Sequence, residues 1–111
     1  MSEYNKANVP VYSELILGLP GETYDSFSNG VCTLLNCGQH TCIGIYPCEL
    51  LPNSQLAKPE YKQKHGIKTV RTPFSQYHCK TNKDDICELS NIVVSTNTMN
   101  IWILRLSNAK Q

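Results

Sequence analysis

Six cysteines and three histidines are the side chains of this 111-residue sequence best suited to metal binding or nucleophilic chemistry. Cys37, His40 and Cys42 form a C-x2-H-x-C cluster, and His78, Cys79 and Cys87 offer further nitrogen and sulfur ligands. A structural zinc site needs four such ligands, usually brought as close pairs from two places. Here Cys37 and Cys42 straddle the expected end of a helix and start of a strand, so alternation aims some of them inward. Ordinary thiols are the simpler reading, Cys32 among them. A cysteine–histidine nucleophile pair lacks an orienting Asn or Asp at a recognised spacing. No residue is therefore assigned a catalytic or metal-ligating role.

A second kind of chemistry belongs to the backbone. Leu17-Gly-Leu-Pro-Gly-Glu-Thr23 ends an apolar run with two glycines. Glycine removes the side-chain obstacle and tolerates unusual dihedrals, so a ligand can approach the main chain there. The plain alternative is a turn joining a strand to a helix, with Glu22 near the positive end of that helix.

Ten basic and nine acidic side chains leave a net charge of +1, which implies neither a nucleic-acid nor a membrane partner. Seven of the ten basic residues fall within positions 58–83 against Glu60 alone. A stretch of this kind could meet phosphates, but without an aromatic ladder or nucleic-acid motif it reads as a solvated helix face and connector. Residues 1–10 have no apolar stretch of signal-peptide type, and the longest apolar runs fall far short of a membrane span. Cytoplasmic placement with reduced thiols is the expectation.

Residues 9–18 predict a strand and 41–46 a second, ended by Pro47. Between them Thr23 is the predicted N-cap of a helix whose apolar stripe is Phe27, Val31, Leu34 and Leu35, with Gly38 as its stop. Strand, helix, strand implies a right-handed βαβ unit with parallel strands. Glu14, Ile16 and Gly18 share one strand face, and an acid inside such a strand needs a partner or a polar cavity. A loop at 48–53, a helical turn at 54–57 and a helix Pro59–His65 closed by Gly66 follow. Residues 67–72 and 92–96 are β-like, 75–89 resist assignment, and 100–111 suit either helix or strand. The class is α/β in a single domain over 1–111, with its strand-helix-strand core at about 9–47 and the remainder at 48–111.

The segment Glu14-Leu-Ile-Leu-Gly-Leu-Pro-Gly-Glu-Thr23, continued by Tyr24-Asp-Ser-Phe27, resembles the end of the fifth barrel strand in radical S-adenosylmethionine (SAM) enzymes. Ile43-Gly-Ile-Tyr-Pro47 and Leu50-Leu-Pro-Asn-Ser-Gln-Leu-Ala57 are similar to their sixth strand and the loop after it. Tyr61 to Thr72 and Ile92-Val-Val-Ser-Thr-Asn-Thr-Met99 resemble a subgroup whose members often carry an N-terminal cobalamin-binding domain.

The resemblance implies a partial (β/α) TIM-type barrel with parallel strands. It implies SAM and a [4Fe-4S] cluster as family cofactors, with cobalamin in the parent protein. Ile16, Gly18, Leu19, Pro20 and Glu22 would contact the SAM adenine, and Tyr46 with Leu51, Pro52 and Asn53 would lie nearer the substrate. The family holds its cluster with C-x3-C-x2-C, whereas the cysteines here are separated by 4, 4, 5, 30 and 7 residues. The chain is therefore expected to be a non-catalytic fragment. Its expected partner is the missing N-terminal half of the barrel, or a second copy meeting it through open sheet edges. The alternatives are a stand-alone α/β binding or interaction module and, more remotely, a zinc-stabilised small domain.

Overall fold

A computed structural model describes residues 1–73 and 88–100. The Asn100 to Gln111 expectation beyond its first residue, Trp102, His78, Cys79 and Cys87 lie outside the described residues. The chain opens with a short helix, α1 (Ser2–Lys6), which the polar start of the sequence did not announce. Then come β1 (Tyr12–Leu17), α2 (Tyr24–Asn36) and β2 (Cys42–Pro47). A 3-10 turn (Gln55–Ala57), α3 (Pro59–His65), β3 (Lys68–Pro73) and β4 (Leu89–Ser95) complete it.

Both ends of α2 are set by local chemistry. The Ser26 amide donates to Thr23 Oγ1 at 3.1 Å and the Thr23 amide donates to Ser26 Oγ at 2.9 Å, a reciprocal capping box. At the other end the Gly38 and Gln39 amides donate to the Leu35 and Leu34 carbonyls, each at 3.0 Å, in a Schellman arrangement. Phe27, Val31 and Leu34 of the predicted stripe are half-buried, while Leu35 is 49% exposed. Cys32, read as one of the plain thiols, is exposed.

β1 and β2 pair in parallel, Tyr12 opposite Cys42 through Leu17 opposite Pro47, as the βαβ reading requires. Alternation along β1 exposes Tyr12, Glu14 and Ile16 and half-buries Ser13, Leu15 and Leu17. Among the described residues one face of this two-stranded sheet is thus bare, and Glu14 lies exposed on it.

The second half of the chain departs from the expectation of parallel strands. β3 and β4 are antiparallel, with Arg71 opposite Asn91 and Pro73 opposite Leu89. Among the described residues parallel pairing is therefore confined to β1 and β2, and the architecture is mixed α/β. The physical reason lies in β4, which has a neighbour on each side. Besides β3, it bonds the segment just after β2: the Val93 amide donates to the Cys48 carbonyl at 2.9 Å and the Leu50 amide to the Asn91 carbonyl at 2.7 Å. Cys48 also donates its amide to the Leu17 carbonyl at 2.8 Å, so one continuous segment closes the parallel ladder and opens the antiparallel one.

Burial concentrates where these ladders meet. Cys48, Ile67 and Val93 form the core, with Leu56 and Tyr61 packed against it. Burial pushes the Cys48 thiol up, keeping it protonated and inert at neutral pH. α3 begins with Pro59 and ends at Gly66 in the left-handed region, φ 60°, both as predicted. Its last turn carries Lys62 and Lys64 beside His65, favourably placed at the negative end of the helix, so two of the seven clustered basic side chains have a structural role. Among the described residues no helix is long and apolar enough to cross a membrane.

Candidate functional site

The 18–22 turn leaves the C-terminal end of β1 and runs directly into the capped start of α2. Gly18 is buried with φ 100°, and Gly21 has φ 83°. The Glu22 amide donates to the Leu19 carbonyl at 3.2 Å, closing a β-turn with Pro20 and Gly21 at its centre. A side chain at Gly18 would be strained by the backbone dihedral alone. Leu19 is 38% exposed and Ile16 50% exposed, which leaves apolar surface beside the turn.

Ile16 pairs with Tyr46, so these two side chains share the bare sheet face. Tyr46 lies back along its own strand. A Cβ on Gly44 would sit 2.9 Å from Tyr46 Cε2, so the absence of a side chain at Gly44 is what lets the ring rest on the sheet. The structure therefore brings Ile16, Gly18, Leu19, Pro20, Glu22 and Tyr46 to one end of the parallel pair. Leu51, Pro52 and Asn53 are exposed and held in their own loop, where the Ser54 amide and hydroxyl both donate to the Leu51 carbonyl, at 3.2 and 2.7 Å. Cys37, His40 and Cys42 are exposed, and among the described residues no three His, Cys, Asp or Glu side chains come together to hold a metal.

Glu22 is the unusual acid of the turn. Its Oε2 is buried with no hydrogen-bond partner among the described residues, and desolvation raises its pKa above the ordinary 4.5. The folded chain thus holds this proton more tightly than the unfolded chain does. The stability linked to it is fully present below pH 4.5 and is lost as the pH rises through the higher folded value. We expect Glu22→Gln to flatten the melting temperature between pH 4 and 7 relative to wild type. Parallel melting curves for the two proteins would contradict this.

Sequence reasoning missed two residues that shape the site. Thr98 donates its hydroxyl to the Glu22 carbonyl at 2.6 Å across 76 positions. Gln39, 2% exposed, donates both protons of its amide nitrogen, to the Val11 and Cys42 carbonyls at 2.7 Å each. It joins the opening ends of β1 and β2. Its place directly after the helix-stopping Gly38 was the available signal; for Thr98 there was none.

No family model matches the sequence. Among curated proteins, the chain is 38% identical over 103 residues to the cobalamin-dependent radical SAM methyltransferase TokK of Streptomyces tokunonensis, covering 90% of this chain. It is also 38% identical over 96 residues, 86% of its length, to a 2-(S-pantetheinyl)-carbapenam-3-carboxylate methyltransferase of Streptantibioticus cattleyicolor. The chain is a homologue of cobalamin-dependent radical SAM enzymes. It spans 15% and 14% of the lengths of these two relatives. The residues present do not fit the radical SAM cluster. No C-x3-C-x2-C occurs in the sequence, and of the described cysteines Cys32, Cys37 and Cys42 are exposed while Cys48 is buried in the core.

Proposed function

We propose that this chain supplies the adenosyl-facing strand end of a cobalamin-dependent radical SAM protein, with the 18–22 turn as the contact for the SAM adenine. The observation that carries this is a turn of positive-φ glycines opening onto the exposed face that holds Ile16 and Tyr46, within a segment 38% identical to a cobalamin-dependent radical SAM methyltransferase. Ile16 and Leu19 offer apolar surface to a flat base, Gly18 and Pro20 let it approach the main chain, and Glu22 follows at the turn's end. Tyr46 lies nearer the substrate, with Leu51, Pro52 and Asn53 beyond it. The relatives are methyltransferases by name, so methyl transfer is the reaction we assign to the complete protein. SAM, a [4Fe-4S] cluster and cobalamin would serve that complete protein. This chain has no ligand set for the cluster and is not catalytic by itself.

The outer edge of β1 has no strand partner among the described residues. In this reading it is completed by further strands of the barrel or, in isolation, by a second copy.

The test is a calorimetric titration of the purified chain with SAM and with 5′-deoxyadenosine, with bound iron and zinc quantified on the same sample. We expect saturable binding without iron, abolished by Gly18→Val and weakened by Leu19→Ser, the latter with an unchanged circular dichroism spectrum. Failure of wild type to bind either compound overturns the assignment. Light scattering on that sample reads the edge, and a monodisperse monomer would rule out self-pairing.

A further inference from the structure

The segment following β4 is held at two distant places at once. The Thr96 amide donates to the Met99 carbonyl at 2.9 Å, closing a turn over 96–99 whose first and last residues are buried. On one side the Asn97 amide donates to the His65 carbonyl at 2.9 Å and Asn97 Nδ2 to the Lys64 carbonyl at 3.0 Å. These are carbonyls at the end of α3 that have no partner within the helix. On the other side Thr98 Oγ1 donates to the Glu22 carbonyl at 2.6 Å.

The proton assignment closes. A threonine hydroxyl has a single proton to give. If Thr98 spends it on Glu22, the 3.4 Å contact between the two threonine hydroxyls must be donated by Thr96, which in turn accepts from the Thr98 amide, also at 3.4 Å. The Thr98 hydroxyl is thus supplied from behind and aimed forward at the turn. The Glu22 carbonyl belongs to the residue just before the N-cap, so no bond within α2 is available to it.

We propose that Thr98 is a positioning residue for the 18–22 turn. By holding the Glu22 carbonyl it fixes the far end of the ligand-carrying backbone, and through Asn97 it ties that turn to the end of α3. The ligand half of this inference rests on the adenosyl reading above. Its geometric half does not.

Two substitutions test it on the intact chain. Thr98→Val keeps the branched shape and removes the hydroxyl, and Thr98→Ser keeps the hydroxyl. Amide hydrogen exchange measured by NMR reports the turn directly, while 5′-deoxyadenosine titration reports the ligand. Thr98→Val is expected to speed exchange at Glu22 and Thr23, whose amides donate to the Leu19 carbonyl and Ser26 Oγ, and to weaken 5′-deoxyadenosine binding about fivefold, the worth of one neutral hydrogen bond. Thr98→Ser should restore both. Unchanged exchange in Thr98→Val overturns the proposal, and faster exchange with unaltered affinity overturns its ligand half. A wild-type chain that binds no 5′-deoxyadenosine, yet whose turn exchanges faster in Thr98→Val, overturns the adenosyl reading while supporting the geometric role of Thr98.

Discussion

Gln39→Glu should leave the chain largely unfolded at pH 7 and partly refolded at pH 4. The substitution preserves shape and reverses hydrogen-bonding sense. Gln39 gives two protons, to the carbonyls of Val11 and Cys42, from a position only 2% exposed. An ionised carboxyl in that place has none to give, and would point an oxygen at one or both of those carbonyls. A buried charge without a partner costs about 3–5 kcal/mol, and each stranded carbonyl adds about 1 kcal/mol or more. That approaches the whole stability of a small domain, about 5 kcal/mol at the low end. Acid reverses part of the loss because a protonated carboxyl offers one donor. The introduced carboxyl therefore titrates above its ordinary range, and stability is lost as the pH rises through that value. Circular dichroism melts at the two pH values decide the matter. A variant that melts like wild type at pH 7 would mean that Gln39 does not carry the strand openings.

Gly66→Ala should cost about 2–4 kcal/mol, a drop of roughly 10 °C or more in melting temperature. Two independent effects add. The left-handed dihedral at Gly66 costs about 1–2 kcal/mol for any residue with a Cβ. That Cβ would also run into the Asn97 side chain, reaching 2.8 Å from Cγ. Asn97 cannot swing aside freely, because its amide and side chain hold the His65 and Lys64 carbonyls, worth about 1 kcal/mol each. The double variant Gly66→Ala, Asn97→Ala separates the two. If the collision dominates, removing Asn97 adds little to the first loss. Denaturant unfolding that gives less than about 1 kcal/mol for Gly66→Ala would refute the close approach.

How much of this was legible depends on how far each signal reaches along the chain. The βαβ unit rests on local evidence: an apolar run stopped by Gly18, a Thr23 cap, a helical stripe and a glycine stop all lie within one short span. α3 likewise announces both ends, Pro59 and Gly66. The antiparallel pairing of β3 with β4 was not legible. The two strands are separated by a long polar stretch with no hairpin dipeptide, and β-like composition does not encode strand direction. Glu14 was expected to need a partner or a polar cavity, as an acid inside a predicted strand. The observed bare face removes that need. Gln39 reads as a surface residue by type, since only the third dimension brings two strand openings to its amide. In the site, the turn was visible through its glycines and its family likeness, while the bond from Thr98 lies beyond any local pattern.

The segment 48–50 has one more consequence. Cys48 accepts from Val93 and donates to Leu17, so a few residues are shared by two ladders that differ in strand direction. Neither ladder can come apart at its inner edge without taking backbone bonds from the other. Heat or denaturant should therefore meet a single all-or-none transition rather than two separate ones. Dividing the chain after Pro47 would keep 48–50 with β4 but would strip the end of β1 of the Cys48 amide that its Leu17 carbonyl holds.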